Sequence, residues 1–262
     1  RVRLRTDLLM KPWQADTLNP VFRQYIDLYK MHDRITVQDV GETLNEANAA
    51  GVSQVVVCGG NPAENDHIEE LSEDSAILPV PGVNLKFGIK AALDEINRVA
   101  DYAKAINFTP FMVKMDVNDK RCFPIYAECE RLGLGVIVHG SLHYWTETSM
   151  WHGSPEKFDD VAINFPELKL VMSHGGNGFG PLVLAVAQRH PNVWLEFSAL
   201  NPKYMDPLFI QAANSYLKHR CIFGSDYPLI PFGKAVKMWE PVIRPENREL
   251  FFRANVEEAL GI

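Results

Sequence analysis

The chain has 262 residues, 47% of them hydrophobic, which suffices for one large domain with a sizeable core and excludes a disordered chain. A formal net charge of -7 argues against nucleic acid or an anionic membrane as the main partner, since both reward a basic surface. No apolar stretch is long enough to span a bilayer, no signal peptide is evident, and Cys58, Cys122, Cys129 and Cys221 form no C-x-x-C pair. The expectation is a cytoplasmic protein with reduced, packed thiols. The chain opens at Arg1 without a Met, so native residues are expected ahead of it.

Residues 2–4 read as a short first strand. A long loop follows at about 6–35, with an embedded helix, Pro12 and Pro20, and the aromatics Trp13, Phe22, Tyr25 and Tyr29. Long loops are often functional, and these rings either line a pocket or pack as a flap. Thr36 to Ala50 has Val37, Val40, Leu44 and Ala47 at helical spacing and stops at Gly51. Gln54 to Cys58 is a buried strand, then come a helix near Glu64–Glu73 and a strand at Ala76–Val80. Lys90 to Ile106 reads as helix and Phe111-Met-Val-Lys114 as the fourth strand. Asp119 to Leu132 is a helix ending at Gly133, and Val136 to His139 is strand five. Residues 141–153 form a polar, aromatic loop, after which Ser154 and Pro155 open a helix. Strand six is Leu170–Ser173, followed by a helix at Pro181–Arg189. Strand seven is Val193–Phe197, followed by a helix at Pro207–Leu217. Strand eight begins at Cys221, and Glu246 to Leu260 closes the chain as a helix.

Eight strands alternating with helices, with no linker, predict an α/β fold and a single (β/α)8 TIM barrel over 1–262. An open doubly wound sheet is the alternative, but no G-x-G-x-x-G follows the first strand, and Pro181 breaks that spacing in the run from Gly175.

Three strands end in chemistry: Val136-Ile-Val-His139-Gly140, Leu170-Val-Met-Ser-His174-Gly175 and Cys221-Ile-Phe-Gly-Ser-Asp226-Tyr-Pro228. Imidazole and carboxylate at one barrel edge suit a divalent metal, or a general base with its orienter. A single strand-end His is as well explained by backbone hydrogen bonding; the set of three is not. No G-x-S-x-G elbow is present, which argues against an acyl-enzyme.

These runs, with Arg121-x-x-Pro124-Ile-Tyr126, Phe165-Pro-Glu-Leu-Lys169, Arg189-His-Pro-Asn-Val193 and Asn255, resemble the amidohydrolase-related family, from about Met112 to the C-terminus. That family contains aminocarboxymuconate-semialdehyde decarboxylase, resorcylate decarboxylases, and lactone and C–C hydrolases. The resemblance implies a metal-dependent-hydrolase barrel holding one divalent ion, zinc or manganese. It implies His139 as a metal ligand, Asp226 as metal ligand and water activator, and His174 as the group that polarises substrate or moves a proton. The first strand departs from the pattern, with Arg3-Leu4-Arg5 where the family carries His-x-His, as in a subgroup with Arg-x-Arg. Guanidinium has no lone pair for a cation, so His139 and Asp226 would be left with fewer than three protein ligands.

Arg3 and Arg5 at the mouth would instead bind an anionic substrate bidentately or stabilise an oxyanion. The competing reading makes them structural partners of Asp226 and Glu196. Lys114 is expected as an anion contact, and Glu196 as the partner of an inward cation. His143 and Trp145 are expected to cap the substrate, although an aromatic interface in a homodimer fits them nearly as well. His32, His67, His190 and His219 read as solvated. The functional expectation is a hydrolase acting on a small carboxylated, cyclic or aromatic molecule. The alternatives are a carboxy-lyase on the same residues and a non-catalytic binding barrel that lost its metal site.

Overall fold

The computed structural model describes Arg23, Gln24, Ile26, Asp27 and residues 39–143 and 145–262. Strand 2–4 with Arg3 and Arg5, and most of the loop at about 6–35, lie outside the described residues; the four named above are helical. The elements are α1 (Val40–Ala49), β1 (Val55–Cys58), α2 (Pro62–Leu71), β2 (Ile77–Val80), β3 (Gly82–Val83), α3 (Ile89–Val99) and β4 (Ala105–Phe108). Then come α4 (Phe123–Leu132), β5 (Gly135–His139), α5 (Pro155–Asn164), β6 (Leu170–Ser173), α6 (Leu182–Arg189) and β7 (Val193–Glu196). The chain ends through α7 (Pro207–Ala213), β8 (Cys221–Ile222), α8 (Phe232–Trp239) and α9 (Asn255–Leu260). Helix starts follow local chemistry. Asp39 and Asn61 accept the third-residue N–H of α1 and α2, and α2, α4, α5 and α7 carry Pro in their first turn. Gly133 closes α4 in the left-handed conformation, as the sequence predicts.

Among the described residues all pairings are parallel, in the orders β1-β2 and β3-β4-β5-β6-β7-β8. Pro81 separates β2 from β3 because it cannot donate to the ladder. Pro79 and Pro81 still accept from Lys104 and Asn107 of the adjacent β4 segment at 2.9 and 2.8 Å, so β2 and β3 are one barrel strand. Buried Asn65 clamps its second half, accepting from the Gly82 N–H at 2.7 Å and donating to the Gly82 carbonyl at 2.9 Å. The fold is a (β/α)8 barrel.

Residues alternate between two cores. Ile106, Val136, Val138, Leu170, Met172, Val193 and Leu195 face the helices. Cys58, Leu78, Val80, Ala105, Ile137, Val171, Trp194 and Ile222 fill the lumen, where Ala259 and Leu260 of α9 join them. Asn255 fixes α9 by donating to the Lys218 and Cys221 carbonyls at 2.8 and 2.7 Å.

Strand four differs from its sequence expectation. The strand is Ala105–Phe108, which the sequence reads as the end of a helix, because no Gly or Pro separates it from α3. Phe111 to Lys114 is not a strand: Pro110 opens a 3-10 turn over Pro110–Val113, and Lys114 follows it exposed, with φ 58°. The helix α8 has no counterpart in the sequence reading. The closing helix splits into a π turn at Leu250–Ala254 and α9. Among the described residues, no helix is long and apolar enough to cross a membrane.

Candidate active site

The C-terminal ends of β5 to β8 carry the chemistry. His139 lies opposite Ser173, Ser173 opposite Glu196, and Glu196 opposite Ile222. Past the strands, the Phe197 N–H donates to the Ile222 carbonyl at 2.9 Å and the Ala199 N–H to the Ser225 carbonyl at 3.4 Å. Asp226, the next residue, therefore sits at the same end of the barrel as both imidazoles. The described non-glycine residues with positive φ are Lys114, His174, Ala199 and Asp226, at 58° to 63°. All four follow the C-terminal end of a strand, and such backbone strain concentrates where side chains must be aimed.

His139 and His174 meet edge to face, with ring centroids 4.9 Å apart, and both are half-buried. Nε2 of His139 lies 3.1 Å from Oγ of Ser141, whose own proton goes to the Leu142 carbonyl at 3.0 Å. The hydroxyl therefore accepts, and His139 donates from Nε2. Nδ1 of His174 lies 3.1 Å from both the Ser198 carbonyl and the Ser198 Oγ. The Ser198 hydroxyl donates to Oε2 of Glu196 at 2.8 Å, and the Ser198 N–H donates to Oε1 at 2.9 Å. Glu196 is 5% exposed; its Oε2 also accepts from the His174 N–H at 3.4 Å. Its described partners are thus backbone N–H groups and a hydroxyl, not the inward cation the sequence suggests. Gly224 makes room for it, because a Cβ there would overlap Oε1 of Glu196.

Phe111 forms the aromatic side of the mouth. Its ring stacks on His143 at 4.4 Å and touches His139 at 4.7 Å and Trp145 at 5.9 Å. His143 is buried, Trp145 is 40% exposed, and burial holds the His143 imidazole below its usual value, hence neutral at pH 7. The loop at 141–153 is tied to the loop after β4. Thr148 Oγ1 donates to the Phe111 carbonyl at 2.9 Å, and the Val117 N–H donates to the His152 carbonyl at 3.0 Å. Asp116 receives His152 Nδ1 at 2.6 Å and the Lys157 ammonium at 3.1 Å. Burial alone would raise the Asp116 carboxyl, but these hydrogen bonds outweigh it and hold the group below the usual carboxylate range.

Of the sequence-predicted residues, His139, His143, His174, Trp145 and Asp226 share this end of the barrel, while Lys114 is exposed beyond a turn and Arg3 and Arg5 lie outside the described residues. The roles of Phe111, Ser141 and Ser198 escape a sequence reading. Only the alternation along strand seven hints at Ser198, which points inward with Glu196. His190 is buried, with Nε2 2.6 Å from Asp159, and is not solvated. All four cysteines are buried, and burial raises the thiols of Cys122, to about 12, Cys129 and Cys221, so none of these three offers a thiolate.

A divalent ion fits the described donors poorly. Among the described residues, no three His, Cys, Asp or Glu side chains are grouped as metal ligands, and the Nε2 of His139 is engaged by Ser141.

A family model described as amidohydrolase matches residues 27–262. A TIM-barrel protein of Bordetella bronchiseptica, itself uncharacterised, is 25% identical with TM-score 0.79, covering 99% of this chain and 97% of that one. A 5-carboxyvanillate decarboxylase from Novosphingobium aromaticivorans, solved with manganese and 4-hydroxy-3-methoxy-5-nitrobenzoic acid, is 11% identical with TM-score 0.73, covering 100% and 95%. A probable 2-pyrone-4,6-dicarboxylic acid hydrolase from Acinetobacter baumannii, with citric acid bound, is 14% identical with TM-score 0.65, covering 100% and 97%. Likeness at the last two identities speaks for the fold.

Proposed function

We propose, from the premise that the chain belongs to the amidohydrolase family, that it is an enzyme moving protons at a small carboxylated aromatic or cyclic substrate. The observation that carries this reading is the pair of touching imidazoles beside the Phe111 ring, on the rim that also carries Asp226. Flat rings suit a flat substrate, and the neighbour's nitrobenzoic acid is of that kind. Hydrolysis is the first reading. Asp226 takes a proton from water, the water oxygen attacks the acyl carbon, and Nε2 of His174 accepts that proton from Asp226 and passes it to the leaving oxygen as its bond to carbon breaks. His139 orients the substrate, His143 and Trp145 cover it, and Arg3, Arg5 and Lys114 attract its carboxylate. No step is assigned to a metal, since the described donors do not converge on one. Manganese belongs to the neighbour, and zinc or manganese here is what the family implies.

Carboxy-lyase chemistry is the second reading, favoured by the aromatic side of the mouth and the decarboxylase neighbour. There Nε2 of His174 would take a proton from solvent and pass it to a ring carbon as the carbon–carboxylate bond breaks and carbon dioxide leaves. A panel of lactones and hydroxybenzoates, read by mass spectrometry with and without added manganese or zinc, separates the two by product. Asp226→Asn is expected to lower turnover at least about a thousandfold while leaving the fold intact. Retained turnover in that variant removes Asp226 from the mechanism, and no turnover by the wild type across the panel favours a binding barrel.

A further inference from the structure

Glu196 is a buried carboxylate that the acid–base reading leaves without a task. It spends both oxygens on the residues that hold His174: Oε1 on the Ser198 N–H, and Oε2 on the Ser198 hydroxyl and the His174 N–H. A carboxylate can only accept, so the Ser198 proton must point at Glu196. The lone pairs of Ser198 Oγ are then what face Nδ1 of His174. The second neighbour of Nδ1, the Ser198 carbonyl, also can only accept. Both partners therefore call for a proton on Nδ1. Gly224, whose missing side chain leaves space for Oε1, completes the arrangement.

We propose that Glu196 is a positioning residue which, through Ser198, fixes His174 in the tautomer protonated at Nδ1 and so presents Nε2 as the proton-exchanging atom at the mouth. What Nε2 then does rests on the acid–base function above; the tautomer does not.

An isosteric substitution gives the argument a sign. In Glu196→Gln one oxygen becomes an amide NH2. Placed at Oε1 it would face the Ser198 N–H at 2.9 Å, donor against donor, so it takes the Oε2 position, gives up the longer 3.4 Å contact from the His174 N–H, and donates to Ser198 Oγ. The hydroxyl proton must then turn toward His174 Nδ1, which favours the tautomer protonated at Nε2. Removing the hydroxyl as well, in Glu196→Gln with Ser198→Ala, leaves only the carbonyl beside Nδ1 and restores the first tautomer. A merely structural role for Glu196 would not produce that reversal.

The test is 15N NMR of the histidine-labelled full chain at about pH 8.5, some two units above the ordinary imidazole value. The His174 signals are assigned by their loss in His174→Gln. The expected wild-type spectrum has a pyrrole-type Nδ1 and a pyridine-type Nε2. Glu196→Gln shifts the tautomer ratio about tenfold or more toward Nε2–H, as loss of a hydrogen bond to a charged group should, and the double variant shifts it back. If Glu196→Gln does not fold, Glu196→Asp, which withdraws the carboxylate from the hydroxyl, is expected to shift the ratio in the same direction. A wild-type ring protonated at Nε2, or a ratio unmoved by either Glu196 variant, overturns the proposal. The readout involves no turnover, so a wrong substrate class leaves it standing.

Discussion

Along β5, Ile137 and His139 both face the lumen; along β6, Val171 and Ser173 do; along β7, Trp194 and Glu196 do. The first of each pair belongs to an apolar plug closed from below by Ala259 and Leu260, and the second to the polar rim two residues further on. The plug holds ordinary strand geometry. The rim holds the positive φ angles of His174 and Asp226, the buried Glu196 carboxylate and the touching imidazoles. Two residues of strand thus separate a layer that stabilises from one that is strained and polar.

That division can be broken from below. Trp194→Ala, which empties the plug, is expected to cost about 3–5 kcal/mol, read as a lower urea midpoint. The His174 tautomer in the folded fraction should not change. If the ring's state moves with the plug, the two layers are not separable. A milder change sharpens the comparison from above. Asp116→Asn loosens the tie between the two mouth loops, and because Asp116 is only partly buried the expected cost is below about 1 kcal/mol. The sign with pH follows from its lowered carboxyl value. The stabilisation is present above the unfolded carboxylate value of about 3.9 and is lost as pH falls through the folded one. Wild type and variant should therefore converge in acid. A difference that persists or grows there would mean that Asp116 does not act as a charged tie.

The sequence makes the second half of the barrel readable because β5 to β8 are short apolar runs that end in His, Glu or Gly-Ser-Asp, and their polar ends mark the rim. Strand four is misread because its own apolar run follows α3 without punctuation, while Phe111-Met-Val imitates a strand and is a 3-10 turn. The same error hides Phe111, the ring on which His139, His143 and Trp145 converge. The role of Ser198 is hidden for another reason. The alternation past β7 puts it on the face of Glu196, but its importance comes from what Glu196 and Gly224 place around it, which three-dimensional contact reveals.

The most direct measurement is a crystal structure with a small aromatic carboxylate, such as a hydroxybenzoate, bound. The expected result places the ligand at the C-terminal end of the barrel, with its ring beside Phe111 and polar atoms within hydrogen-bond reach of His174 Nε2 and Asp226. A ligand bound elsewhere, with the space between His139, His174 and Asp226 filled only by water, would contradict the account.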